Sequence, residues 1–416
     1  MQAGDIMQPA PLIPLWKNHD YVLLWSGQTV SIIGTQVSTI AFPLLVLALT
    51  NSPIQAGIVG AARTLPYLLF TLPAGALVDR WDRKRVMIAC NIGSGIALAS
   101  VAVALLLGTI TIAQIVLVSF GEGAASVFFG LAEAGALPQV VAKEQLSTAV
   151  AQSQIQYSVG GIIGPSLGGA LYSAAPLLPF AVDAGSYAVA GLSLAAVRAR
   201  LQGVRGAARR SLRAEIGEGL MWLWRHPLIR FMAFLTGGIN ISTTSYVLVI
   251  VVLAREQGAS SALTGAIFAV SGVAAILGAV IGASIQRRLS FGRAIVGVTW
   301  YFALTYAFYA VAGTPALLMV IVSLGMLLSP AYDIVAYTYR IAVIPDALQG
   351  RVNSVFRLIS WGVRPLGFAL TGVLLERAGG VTTVLVIAGW LALVALVTTF
   401  NRHVRDAPAL VDAPAQ

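Results

Sequence analysis

Six ionisable side chains stand where an apolar environment should exclude them. Arg63, Glu122, Asp183, Asp333, Arg357 and Arg364 all fall inside long apolar runs. Placing such a group at mid-bilayer costs about 2.5–3.5 kcal/mol on the insertion scale, so each must pair, line a wet cavity or do chemistry. Counted along their runs, Arg63, Glu122 and Arg364 lie near the middle, and Asp333 and Arg357 share a shallower depth. The chemistry open to this set is proton transfer. Glu122 is the candidate carrier, because burial favours the neutral form of a carboxylate; the alternative is a fixed ion pair with Arg63. Asp333 and Arg357 are expected to pair structurally, and Asp183 has no assignable role.

Polar stripes surround these groups. Glu122, Ser126, Phe129 and Glu133 recur at helical spacing and share one face. Asn353, Arg357, Ser360 and Arg364 do the same, as do Gln28, Ser31, Thr35 and Ser38, and Thr236, Asn240 and Thr243. A solvated central cavity requires such faces; the plainer alternative is hydrogen bonding between helices. No phosphate loop surrounds Lys17, Lys84 or Lys143, so a P-loop ATPase is excluded. No nucleophile–base or metal-ligand spacing is present, and neither an enzyme nor a cofactor beyond a proton gradient is expected.

Apolar helices must position these residues. The chain has 416 residues, 58% hydrophobic and only 10% charged, against about 25% charged in soluble proteins. This is the composition of an integral membrane protein. Cys90 is the single cysteine, so no disulfide can form within the chain. Residues 1–18 lack the pattern of a cleavable signal peptide. At about 20 residues per crossing, twelve spans are expected: 20–49, 54–78, 86–107, 112–137, 146–172, 177–197, 228–253, 261–285, 294–312, 315–339, 350–375 and 381–400. The predicted organisation is a six-helix bundle over 1–197, a linker over 198–227, a second bundle over 228–400 and a tail over 401–416. Within the linker, Ser211–Trp224 reads as an amphipathic surface helix. Of the 26 Lys and Arg, Arg63, Arg357 and Arg364 fall inside spans, and only Arg255 and Arg377 lie in loops on the side opposite the termini. That bias predicts cytoplasmic termini and reads the net charge of +10 as a topology signal, not a nucleic-acid surface.

Between spans 2 and 3 lies Gly75-Ala-Leu77-Val-Asp79-Arg80-Trp-Asp82-Arg83-Lys84-Arg85, with six charged residues in the last seven positions. Gln286-Arg287-Arg288 after span 8 is a worn counterpart, and Gly164-Pro165 in span 5 is echoed by Arg364-Pro365 in span 11. Two parallel six-helix repeats are a transporter architecture with the substrate site between halves.

These motifs resemble those of the major facilitator superfamily over nearly the whole chain. The charged loop is similar to its loop 2–3 signature, departing at Asp82, where glycine is usual. Gly160, Gly164, Pro165, Gly168 and Gly169 resemble the motif of its exporters, with Ala151 in place of a further glycine. Trp16 to Gly27 and Phe129 to Pro138 look like the drug-efflux branch that includes macrolide and siderophore exporters, with Gly130 and Leu131 as departures. The resemblance implies a gating latch: Gly75, Asp79, Arg80, Arg83 and Lys84, with Asp79 capping span 11 and Arg83 pairing with Glu133. It also implies a small-molecule substrate, protons and lipid as partners, and a monomer. The expected function is proton-coupled export of amphipathic or hydrophobic molecules by alternating access. An importer or lysolipid carrier of the same fold, or a transport-dead scaffold, is the alternative.

Overall fold

Lipid offers no hydrogen-bond partners, and helices satisfy their own backbones. The computed structural model describes residues 14–78, 80–202, 212–345 and 348–407, without side chains at 76, 212–215 and 283–287. Helices and short turns account for the described residues. They are α1 (His19–Thr50), α2 (Pro53–Val78), α3 (Arg83–Leu106), α4 (Ile112–Val140), α5 (Leu146–Ala174), α6 (Leu178–Ala196), α7 (Leu212–Arg225) and α8 (Pro227–Thr243). The chain continues with α9 (Tyr246–Glu256), α10 (Ser261–Arg288), α11 (Phe291–Phe308), α12 (Pro315–Leu327), α13 (Ser329–Val343), α14 (Gln349–Trp361), α15 (Arg364–Phe400) and α16 (Arg402–Arg405).

Among the described residues, nine apolar stretches are long enough to cross a membrane. One, Gln349–Phe400, has 52 residues and is α14 and α15 end to end. It kinks at Gly379, whose φ of 78° suits only glycine. Dividing that stretch there, and adding the less apolar α2 and α5, accommodates the twelve expected spans. Three of the spans drawn as continuous are broken. Span 7 is interrupted at Thr244-Ser245, span 10 at Leu328, just before Pro330, and span 11 at Gly362-Val363, just before Pro365. Proline withholds a backbone donor and crowds the preceding turn, which explains the last two.

Helix starts carry side-chain caps. Asn18 accepts from the Tyr21 amide at 3.1 Å, Thr111 from Gln114 at 3.2 Å and Thr314 from Leu317 at 3.2 Å. Left-handed Asn51 (φ 53°) ends α1. The amphipathic α7 covers α14 and α8, anchored by Arg351 to Glu218 at 2.7 Å.

The first six helices and the group from α8 to α15 meet along two equivalent seams, α2 against α15 and α5 against α10. The face that carries the starts of α1 and α3 is called the terminal face, and its opposite the far face. At the far face one continuous apolar core joins both halves, from Ile40–Leu47 and Phe180 to Leu248–Ala254 and Leu391. Toward the terminal face each half keeps its own core, around Met87 and Ala132 in one and Met232 and Phe356 in the other. Hydrogen bonds at the far face also join the two halves. Arg255 donates to Leu47 O at 2.6 Å and Asn51 Oδ1 at 2.7 Å. Glu376 accepts from Ser52 Oγ and, at 2.9 Å, from the Ile54 amide. The molecule is closed at the far face and parted at the terminal face.

Candidate functional site

Between the halves lies a cavity of about 540 Å³. Gln28, Ser31 and Thr35 of α1 and Ser126 and Phe129 of α4 line it from one side, Asn240 and Thr243 of α8 from the other. Thr236, expected beside them, does not line it. Its hydroxyl is taken up by Met232 O and Tyr332 Oη at 2.8 and 2.7 Å.

Glu122 and Arg63 meet in the cavity wall. Arg63 Nη2 donates to Glu122 Oε1 at 2.8 Å, and the Glu122 side chain is 2% exposed. Arg63 also gives Nη1 to Thr39 Oγ1 at 3.3 Å and lies over the Phe42 ring. The approach depends on Gly123: a methyl there would sit 2.0 Å from the Arg63 carbonyl oxygen, so α4 and α2 can touch only at a glycine. Glu122 Oε2 is buried without a hydrogen-bond partner. Tyr187 Oη reaches Oε1 at 3.5 Å and Thr35 Oγ1 at 3.0 Å.

Asp183, unassigned from sequence, belongs to the same group. It is fully buried and accepts from Ser38 Oγ at 2.5 Å and Ser186 Oγ at 3.1 Å, close enough to feel the charges of Glu122 and Arg63. Sequence reasoning also missed Tyr67, Asn91 and Tyr187, which line the cavity. The four-residue step from Asp183 to Tyr187 on one face of α6 was the available signal for two of these groups.

The expected Asp333–Arg357 pair is absent among the described residues. Arg357 instead lies over the Trp361 ring at 5.8 Å, and the charges nearest Asp333 are Arg364 and Arg340. Asp333 and Arg357 stand on separate helices, α13 and α14, and it is Arg340, further along α13, that reaches α14, over the Phe356 ring at 4.1 Å. Arg364 lines the cavity, its guanidinium stacked on Trp361 at 4.3 Å.

In the charged loop, Asp79 and its expected capping of span 11 lie outside the described residues. Arg83 Nη1 donates to Gly135 O at 2.7 Å and does not pair with Glu133. Two residues apart, positions 133 and 135 point to opposite sides of α4, and Glu133 enters a side pocket with Tyr21, Trp25 and Gln156 of α1 and α5. Asp82 caps α3, accepting from the Arg85 amide at 2.9 Å. Lys84 Nζ satisfies the end of α6 through Ala195 O (2.9 Å) and Val197 O (2.6 Å), the site that a helix C-terminus offers a cation. Gly75 is open, with nothing near a would-be methyl, and Arg80 is exposed.

The span 5 motif divides its work. Gly160, Gly164 and Gly168, one helical turn apart, receive Ile32, Gln36 and Val37–Ile40 of α1. Pro165 is buried among them, and Gly169 meets Gly265 of α10 across the seam. This one helix therefore sets both the packing of its own half and its contact with the other.

The sequence profile of the Major Facilitator Superfamily matches residues 24–363. The chain belongs to the major facilitator superfamily. Among relatives in that superfamily, the multidrug efflux pump Tap of Mycolicibacterium fortuitum is 30% identical over 394 residues, covering 90% of this chain and 93% of Tap. Macrolide efflux protein A of Streptococcus pyogenes is 28% identical over 184 residues, 44% of this chain and 45% of that protein. The nucleoside transporter NupG, in the crystal structure of a mutant form, superposes with a TM-score of 0.76 at 15% identity, over 92% of this chain and 100% of NupG. The fold is thus the superfamily's, and the protein is a multi-pass membrane transporter.

Proposed function

We propose that this transporter exports amphipathic or hydrophobic small molecules across the cytoplasmic membrane in exchange for protons. Both termini, and hence the terminal face, are read as cytoplasmic, a placement that the distribution of Lys and Arg supports. The conformation described above is then inward-open. The observation that carries the reading is Glu122, a carboxylate in the cavity wall with one oxygen on Arg63 and the other buried and unpartnered. Likeness to Tap over nearly the full length of both chains supports export as the direction.

In this mechanism Glu122 is ionised while paired with Arg63. When the cavity faces outward, an outside proton adds to Glu122 and removes the charge that holds the guanidinium. Arg63 stays cationic at any physiological pH, and the acid left within its electrostatic reach is Asp183. The change of partner biases the two halves toward a new arrangement, and return inward releases the proton. A differential of a few kcal/mol between the two states suffices to redistribute them.

The test is substrate-driven proton release from reconstituted vesicles. Glu122→Gln keeps the shape and one acceptor oxygen but cannot carry the proton. Coupled proton flux should fall at least about tenfold, which corresponds to about 1.4 kcal/mol. Full retention of proton-driven transport would leave Glu122 as a fixed structural partner of Arg63. Accumulation in inside-out vesicles, with none in right-side-out ones, checks the direction.

A further inference from the structure

The cavity holds a charge that the proton mechanism does not use. Arg364 opens α15 and lines the cavity from the half opposite Glu122. Among the described residues it joins no ion pair, and its Nε is buried without a hydrogen-bond partner. A carboxylate in that position could discharge itself by taking a proton; a guanidinium cannot. Asp333 is close enough for its charge to be felt, but it lies between Arg364 and Arg340 and bonds to neither. The charge of Arg364 is therefore under-compensated in an apolar setting, where breaking or lacking a partner is most unfavourable.

Its surroundings are those of a receptor for a planar anion. The Trp361 ring backs the guanidinium at 4.3 Å and leaves its edge to the cavity. Tyr67 of α2 lies beside it from the other half, with its hydroxyl 3.1 Å from Ser126 Oγ. Both hydroxyls line the same cavity. Two more arginines continue toward the terminal face, each laid on aromatic rings: Arg357 on Trp361, and Arg340 on Phe356 at 4.1 Å and Tyr337 at 5.3 Å. Three cations and one acid gathered on α13, α14 and α15, of which Arg364 lines the cavity, make a field there that favours anions.

We propose that the transporter selects amphipathic anions, and that Arg364 takes the substrate's carboxylate in a two-point bond assisted by Tyr67 and Ser126. The apolar body then rests against Phe42, Phe129 and Phe368 of the cavity. This deepens the export reading by giving its substrate a chemical class; binding itself needs no proton.

The test is equilibrium binding to the purified full chain in nanodiscs of phosphatidylcholine, so that no anionic headgroup competes. The probes are dansylamino-undecanoate and its uncharged amide. The carboxylate should bind at least about tenfold more tightly than the amide. Arg364→Gln should erase that preference while the amide still binds and the melting temperature does not fall, and Arg364→Lys should restore part of it. Equal binding of the two probes by the wild-type chain would overturn the proposal, as would a carboxylate preference that survives in Arg364→Gln. So would displacement of the probe by added phosphatidylglycerol, which would assign Arg364 to lipid. The vesicle proton assay, run with an uncharged probe, judges the export reading separately, so either idea can fail while the other stands.

Discussion

A carboxylate held by one arginine bond, with its second oxygen buried and empty, sits between a structural group and a chemical one. Glu122 was legible in the sequence as an acid at the depth of Arg63, and the two side chains meet. The place of Asp183 beside this pair was not legible, because register between α1 and α6 is set by close packing that no motif announces. A methyl at Gly34 would stand 2.6 Å from Asp183 Oδ1 and 2.2 Å from Ser186 Oγ, so that glycine is what seats the acid. Asp183→Ala should strip a partner from the buried hydroxyl of Ser38 and lower stability by about 1–3 kcal/mol, read as a lower melting temperature in detergent. Asp183→Asn, which retains an acceptor, should lose less. Equal stability of the alanine variant and the wild type would show that the buried hydroxyls need no acid.

Helices, in turn, move as units, and what holds them decides which face opens. The charged loop between α2 and α3 was the most conspicuous sequence feature, and in this conformation Asp82 caps α3, Lys84 ends α6 and Arg83 binds the α4 backbone, all within one half. The fastening between halves is at the far face, where it drew no attention. Arg255 sits on the carbonyl end of α1 and Glu376 on the amide end of α2, each with the sign that the helix dipole favours. The Ser52 hydroxyl and the Ile54 amide hold the exposed Glu376 carboxyl below its ordinary range. Because its pKa is depressed in the closed state, its contribution to closure is present above the ordinary value and is lost as pH falls through the lowered one. Spin labels at Leu49 and Val381 should therefore separate once pH at that face falls below the ordinary glutamate range. Glu376→Gln should show the wider distance already at neutral pH, and a distance unaffected by the substitution would remove Glu376 from the gate.

At the scale of the whole molecule, the number of spans and their pairing into two halves were legible, because apolar length and basic loops are properties of single segments. The breaks in spans 7, 10 and 11 were not, since an interrupted helix keeps the same apolar composition. The conformation was beyond reach for a different reason: one sequence must encode both an open and a closed terminal face, and only the packing selects between them. Here the joined far-face core and the separate terminal-face cores make that selection visible. Lengthening the seam side chain at Gly169, where Ser261 O and Gly265 leave no room for a methyl, should wedge the far face apart. Gly169→Val is expected to reduce transport several-fold with wild-type insertion into the membrane, and normal turnover would show that the seam tolerates separation.

The far face is also almost without loops. Only Asn51–Ser52 separates α1 from α2, three residues separate α5 from α6, and the helices meeting at Gly379 share no connecting segment. With that face outward, the transporter offers the surroundings of the cell almost no grip: no epitope of useful size, and no extended strand for a protease to enter. Trypsin applied to intact cells should leave the chain whole, while opening the cells should expose Arg198 and Arg200, exposed and non-helical just past the end of α6, to cleavage. A protein that handles molecules on both sides of the membrane would thus be nearly invisible from one of them.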